Sequence, residues 1–198
     1  MTATEPVSGA TVIDVAADLS GALMRLPLLD WESPAGEYAA LNARVRIDNG
    51  RLRKVDSFRV TAPQLSIAGD VEWRDAPGLA PDVRISELRH GANTNVTVVG
   101  APSAEGGYRI SIAGAALDAR PIMEELTDSG ASGGNQAEAG RLAIDMDVAA
   151  VQIGSGQLLE AMRGEAVLEN GSVRTASLGA TSAGGGQISA EVQPGGAA

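Results

Sequence analysis

Side chains that could carry out chemistry are few in this sequence of 198 residues, and none has the neighbours that catalysis requires. A single histidine, His90, stands between Arg89 and Gly91. A histidine base needs a nucleophile on one side and an orienting group on the other. The sequence offers neither beside it, so we predict a solvent-exposed loop histidine without a catalytic role.

Carboxylates are the main potential metal ligands, because the chain contains no cysteine. Asp145 and Asp147 lie two residues apart, which on a strand places both on one face. Hard cations need several oxygen ligands, and this spacing is more typical of the wet side of an amphipathic strand. Glu124 and Glu125 are adjacent and are not paired across a cleft. We therefore predict no metal site, no cofactor and no enzymatic activity.

The charge balance excludes further classes of function. The net charge is −10 and the pI is about 4.5, whereas a nucleic-acid-binding surface needs a basic patch. The same acidity argues against docking on an anionic lipid surface but not against holding a lipid by its tails. No apolar run is long enough to span a bilayer. The start of the sequence lacks the features of a signal peptide, so the sequence predicts either a cytoplasmic protein or a piece of a longer one.

The elements that would position any site read as β-strands. In the stretch YAALNARVRID, which starts at Tyr38, apolar residues occupy every second position from Ala39 to Ile47, and from Asn42 to Asp48 the residues between them are polar. This period is typical of a strand with one buried face. Asn49-Gly50 follows, which is a strong hairpin signal because both residues tolerate a positive φ. The pattern recurs along the chain and predicts roughly twelve strands.

Aliphatic residues supply the predicted inner face, since aromatic residues make up only 3% of the chain. A sheet of so many strands is expected to curl or to split, because open twisted sheets rarely exceed about ten strands. A lining of small and aliphatic side chains favours a trough over a filled sandwich interior, although it leaves the sandwich open. We predict these residues as the lining of an apolar groove: Leu41, Val45, Ile47, Leu65, Ile67, Val71, Ile110, Ile112, Leu142, Ile144 and Met146.

Two stretches interrupt the alternation. LDARPIMEELTDSG predicts a short helix, with Asp118 as its N-cap and with Ile122 and Leu126 on one face; GQLLEAM, at 156–162, could form a second helical turn. The Gly- and Ser-rich residues after the helix read as a connector. We accordingly predict a β-groove segment over 1–127, a connector over 128–140 and a second β segment over 141–198.

The sequence also echoes itself. The Asn-Gly pairs at Asn49 and Asn170 lie 121 residues apart (170 minus 49), and the flanking apolar positions match at the same offset. Both segments read as strand, turn, strand, loop and strand. Either one supersecondary unit is repeated, or two ordinary hairpins look alike.

Three segments together resemble a known family. DVAADLSGALMRLPLLDWESPAGE (14–37), YRISIAGAALDARPIMEEL (108–126) and the stretch from Leu142 to Ala180 are similar, in this order, to segments of the AsmA-like, YhdP-type (TamB-related) envelope proteins of Gram-negative bacteria. The resemblance extends from Asp14 to Val192. It departs at Ser33, where the family pattern leads us to expect a basic residue.

The resemblance implies a fold and a function. It implies a long curled antiparallel sheet that forms an apolar groove, in a periplasmic part of an inner-membrane-anchored protein that takes part in phospholipid transport to the outer membrane. The partners would be phospholipid acyl chains and the remainder of a longer chain. A structural or adhesive β-sandwich without cargo is the alternative, and a carbohydrate-active enzyme on a β scaffold is a third possibility.

Overall fold

The chain is almost entirely β. The computed structural model describes residues 9–74, 80–124, 140–170 and 172–193. Within these ranges it contains thirteen strands: β1 Ala10–Asp18, β2 Met24–Leu26, β3 Trp31–Ser33, β4 Ala40–Asp48, β5 Arg51–Ala62, β6 Leu65–Glu72, β7 Asp82–His90, β8 Thr94–Pro102, β9 Tyr108–Asp118, β10 Arg141–Gly154, β11 Gln157–Glu169, β12 Ser172–Ser182 and β13 Gln187–Val192.

Eleven of these strands form one open sheet in the order β1-β4-β5-β6-β7-β8-β9-β10-β11-β12-β13. All neighbours run antiparallel except β9 and β10, which are parallel. The remaining strands, β2 and β3, pair only with each other. The predicted fold is therefore confirmed: a long, curled, mostly antiparallel sheet of groove type, not closed, with one short helix. No second sheet of comparable size occurs among the described residues.

The register separates the two faces of the sheet. Directly opposed residues share a face, and residues two apart along a strand do too. On one face, here called the polar face, Arg44 opposes Asp14 and Lys54 opposes Glu72. The other face, here called the apolar face, carries mainly aliphatic residues and glycine, with Phe58 and Tyr108 as its aromatic members. The period-2 pattern in the sequence thus becomes one continuous division of the whole sheet.

The strands end at two opposite edges of the groove. β1, β5, β7, β9, β10 and β12 end at one edge, and β4, β6, β8, β11 and β13 begin there; we call this the covered edge. The segment 19–39, here called the cap, contains β2, β3 and a 3-10 turn at Pro27–Leu29. It packs Trp31 against Ala62 and Leu65 on the apolar face. Residues at the opposite edge, here called the open edge, belong to neither hydrophobic core.

A second core lies at the same covered edge. The predicted short helix, α1, is described over residues 120–124, and Asp118 Oδ1 accepts a hydrogen bond from the Arg120 backbone N at 3.2 Å. Ile122 packs onto a core that includes Val148 and Val151, both fully buried. Leu126 lies outside the described residues.

The prediction of a possible second helical turn at 156–162 is wrong, because residues Gln157–Glu169 form β11. Gly156 makes a tight turn with φ +71°, and β11 then pairs along its length with β10. Pairing across the sheet overrides the weak local preference. The predicted connector at 128–140 lies outside the described residues except for Gly140; β9 and β10 on either side of it are neighbours in the one sheet.

The two echoing segments occupy equivalent places. At the offset of 121, β4, β5 and β6 superpose in sequence on the end of β11, on β12 and on β13. Both turns have a left-handed asparagine, with φ +49° at Asn49 and +52° at Asn170. Each segment is three antiparallel strands in consecutive order within the sheet. The two segments differ in what lies beyond their last strand. β7 pairs with the outer side of β6, whereas no described strand pairs with the outer side of β13.

Candidate functional site

The apolar face is the most distinctive surface of the molecule. All eleven residues predicted to line a groove lie on it, according to the strand register. The structure thus brings these eleven residues together on one surface.

One row of directly opposed residues crosses the whole sheet without a polar side chain. We call it the central row, and it consists of Ile13, Val45, Val55, Val71, Val83, Gly100, Ile110, Ile144, Ala166, Ala176 and Val192. At about 4.8 Å between strands, eleven strands give a stripe about 50 Å long. An uninterrupted apolar stripe of this length suits hydrocarbon and offers no group for acid–base or nucleophilic chemistry.

The exposure of neighbouring valines distinguishes the two faces. Val98 and Val99 are consecutive residues of β8, near the middle of the sheet. Val99, on the polar face, is 43% exposed, whereas Val98, on the apolar face, is half-buried. Val98 packs against the second core, so this difference reflects the packing at the covered edge.

The apolar face is covered at the covered edge and accessible toward the open edge. Leu65 is buried beneath the cap, Ile67 packs against the same core, and Ile112 and Met146 pack against the second core. The other seven predicted lining residues belong to neither core and remain half-buried: Leu41, Val45, Ile47, Val71, Ile110, Leu142 and Ile144. The accessible part of the face therefore lies toward the middle and the open edge.

Three apolar residues of the cap, Met24, Leu26 and Leu28, could by their sequence pattern serve either as groove lining or as the edge of an ordinary core. Met24 and Leu26 pack against the core around Trp31. Leu28 is 55% exposed. The first two therefore belong to the cap's own packing and not to the accessible part of the face.

The polar face carries rows of ion pairs. Arg44 Nε lies 2.7 Å from Asp14 Oδ1, and Lys54 Nζ lies 2.9 Å from Glu72 Oε2. Both pairs join directly opposed residues of neighbouring strands. The side-chain hydrogen bond from Arg44 lowers the pKa of Asp14. These exposed pairs add little to stability, but they keep this face charged and hydrated.

The two aspartates considered as metal ligands belong to these rows. Asp145 Oδ2 accepts a hydrogen bond from Arg109 at 2.7 Å, and Asp147 pairs with Arg163 at 3.3 Å. Each carboxylate therefore faces a guanidinium on the wet side. No cluster of three or more metal-ligating side chains occurs among residues 9–74, 80–124, 140–170 and 172–193.

His90 differs from its sequence-based prediction. It is the last residue of β7, not a loop residue, and it opposes Leu65 and Thr94 across the strands. It is half-buried on the apolar face at the covered edge. The hydroxyl of its neighbour Thr94 accepts a hydrogen bond from the backbone N of Asp118 at 3.2 Å. Arg120, at the same edge, donates two side-chain hydrogen bonds to Asp118 and is thereby held in place.

Concave regions occur on both faces. An open depression of about 590 Å³ lies mainly on the polar face, where its lining includes Asp14, Asn42, Arg44 and Arg59. The charged groups there are already matched in ion pairs, since Arg59 reaches Glu87 at 3.1 Å across the buried Ala68. A smaller apolar pocket of about 120 Å³ lies on the apolar face between β10, β11 and β12.

Sequence reasoning missed the contribution of β7 and β8 to the apolar face. Their members are Val83, Ile85, Leu88, Val96 and Val98. In β7 the period shifts between Ile85 and Leu88, because a bulge inserts one residue. In β8 an apolar residue, Val99, lies on the polar face. Allowing one skipped residue in the alternation would have found β7.

Comparisons with known proteins leave the family open. No family model, no curated protein and no solved structure matches this chain. Among the described residues, no helix has the length and apolar character needed to cross a bilayer.

Proposed function

We propose that this chain binds phospholipid acyl chains along the apolar face of its sheet. The central row is the observation that supports this most directly, because it offers hydrocarbon contact over about 50 Å. Each methylene removed from water contributes about 0.8 kcal/mol. A tail can therefore be held firmly without any specific polar contact, and flexible tails adapt to a twisted surface.

The wider setting of the proposal rests on the resemblance of segments 14–37, 108–126 and 142–180 to AsmA-like, YhdP-type proteins. On that basis the chain is a periplasmic section of a longer, inner-membrane-anchored protein that guides phospholipids toward the outer membrane. It works by binding and guiding, with no reaction. The rival function is a structural or adhesive module without cargo, in which the same face would pack against protein.

The test compares lipid content between variants of opposite faces. We expect purified chain to carry phospholipid that solvent extraction and mass spectrometry detect. Val71→Asp combined with Ile144→Asp places two charges in the central row, where contact with hydrocarbon costs about 2.5–3.5 kcal/mol for each charge. Bound lipid should fall at least tenfold. Circular dichroism checks that the β-structure persists.

The matched control places charges on the polar face, at Thr97→Asp combined with Val99→Asp. These side chains are exposed, so lipid content should stay as in the parent chain. Absence of lipid from the parent, with no uptake from vesicles, would refute the proposal. Equal loss of bound lipid in both double variants would show that lipid does not bind specifically to the apolar face.

A further inference from the structure

The outer edge of β13 has features of a docking site for another strand. All six residues of Gln187–Val192 are exposed, and no described strand pairs with their outer side. Natural sheet edges are usually blunted by lysine, proline, a bulge or a cover. β13 contains neither lysine nor proline, and it carries one charge, Glu191. Its ladder with β12 has no bulge.

The internal repeat indicates what fits this edge. At the offset of 121, β13 corresponds to β6, and the outer edge of β6 is occupied by β7, which runs antiparallel. Ile67 and Val71 of β6 correspond to Ile188 and Val192 of β13. On the polar face, Asp70 opposes Arg84 of β7, and Glu191 stands where Asp70 would.

We propose that the outer edge of β13 binds an antiparallel polypeptide strand with the pattern of β7. The strand alternates aliphatic and charged residues, and it places an arginine opposite Glu191. Its aliphatic side chains extend the apolar face, and main-chain hydrogen bonds supply the affinity, as in other strand additions. Opposite charges in directly opposed positions stabilise such a pair.

One difference between β6 and β13 refines the register. The bulge in β7 depends on Gly69, because a Cβ there would lie 2.1 Å from the Arg84 carbonyl oxygen. β13 has Ala190 at the corresponding position, so it cannot accept this close approach. The bound strand must therefore pair without the bulge, which means without a counterpart of Ser86.

A second copy of this chain fits the edge less well. Among the described residues, the edge strands of its eleven-stranded sheet are β1 and β13. The cap strands β2 and β3 are only three residues long, and Arg25 of β2 is already paired with Glu32. β1 would bring Asp14 and Asp18, and β13 would bring its own Glu191, so neither offers a cation opposite Glu191. Charge complementarity thus favours a strand with the chemistry of β7.

The experiment traps the strand by disulfide exchange, which is simple because the chain has no cysteine. The probe is the peptide Asp-Val-Arg-Ile-Glu-Leu-Arg-His, which is the β7 sequence without Ser86. Cysteine replaces its glutamate, which we expect to oppose Ser189. The full chain carries Ser189→Cys, and the captured fraction is measured by intact mass in a glutathione buffer.

We expect capture at least tenfold above that of a peptide whose cysteine is shifted by one residue. The matched control is Ala16→Cys, on the polar face of the other edge strand, and it should capture at least tenfold less. Adding Glu191→Lys should lower capture about two- to tenfold, because a like charge then faces the arginine. A peptide that retains the serine should be captured less.

Other results would overturn the proposal. Equal capture at both edges, or equal capture of the shifted peptide, would refute a specific register on β13. Predominant disulfide dimers of the Ser189→Cys chain would identify a second copy as the occupant. Neither result would bear on lipid binding, which is measured separately on the apolar face.

Discussion

Removing the side chain of Trp31 should detach the cap without dissolving the sheet. Trp31 is 7% exposed and packs against Ala62 and Leu65. Its Nε1 donates a hydrogen bond to the Pro63 carbonyl oxygen at 3.2 Å. Truncating a buried tryptophan to alanine costs about 3–5 kcal/mol. The cap packs on the sheet at the covered edge, so we expect Trp31→Ala to release this segment locally.

Two measurements check this expectation. Amide hydrogen exchange should show lost protection over 19–39 in Trp31→Ala, while β7–β11 keep theirs. Urea denaturation of Trp31→Phe should show a smaller loss, since that variant keeps most of the packing and gives up a hydrogen bond worth about 0.5–1.5 kcal/mol. Leu28→Ala is the control in the same cap, because its side chain is 55% exposed.

Two results would contradict the reasoning. A global loss of β-structure in Trp31→Ala would mean that the sheet depends on the cap to fold. An effect of Trp31→Ala no larger than that of Leu28→Ala would mean that the contacts around the indole contribute little. Either result would contradict the expectation that Trp31 holds the cap on the sheet as a locally released segment.

Further substitutions test other parts of the fold. Gly69→Ala should lower the free energy of unfolding by about 1–3 kcal/mol in urea titrations, because its Cβ would meet the Arg84 carbonyl oxygen; Gly179→Ala, with open space around it, should be neutral or slightly stabilising, and equal effects would contradict the bulge. Asp118 provides a pH test, because the side-chain hydrogen bond from Arg120 lowers its pKa below the usual 3.8. Its contribution to stability is present above the unfolded-state pKa and is lost as the pH falls through the folded-state pKa. Asp118→Asn should therefore show a smaller drop in Tm between pH 6 and pH 2.5 than the parent chain, and identical drops would refute the ion pair's role.

The sequence predicted the faces of the sheet better than its connections. Period-2 alternation depends only on neighbouring residues, so Val45, Ile47 and Ile144 could be assigned to one side directly. The parallel pairing of β9 with β10 is a contact between distant parts of the chain, and no local pattern encodes it. The cap escaped prediction for a similar reason, since its Trp31 packs on Leu65 far along the chain.

The errors in the site have local causes. Glycine and bulges disturb a period of two, as at Ser86, and a strand with one apolar residue on the wrong face, as at Val99, looks less regular than it is. His90 was taken for a loop residue beside Gly91, and Gly91 in fact begins the turn after β7. Allowing interrupted periods would recover such strands, although not the pairing between them.

The two faces together explain why an open groove can be a stable design. Charged side chains on the polar face determine which side meets water, because a slip of one residue would turn Arg44 and Asp14 onto the apolar side. Neighbouring strands in a sheet are rotated by about 20–25° relative to one another, so a partner sheet that covered the apolar face would have to match this twist. Flexible hydrocarbon tails can follow that twist, whereas a rigid protein surface would need a complementary twist along about 50 Å. Under the proposed function, this adaptability favours hydrocarbon tails as the occupant of the accessible part of the face.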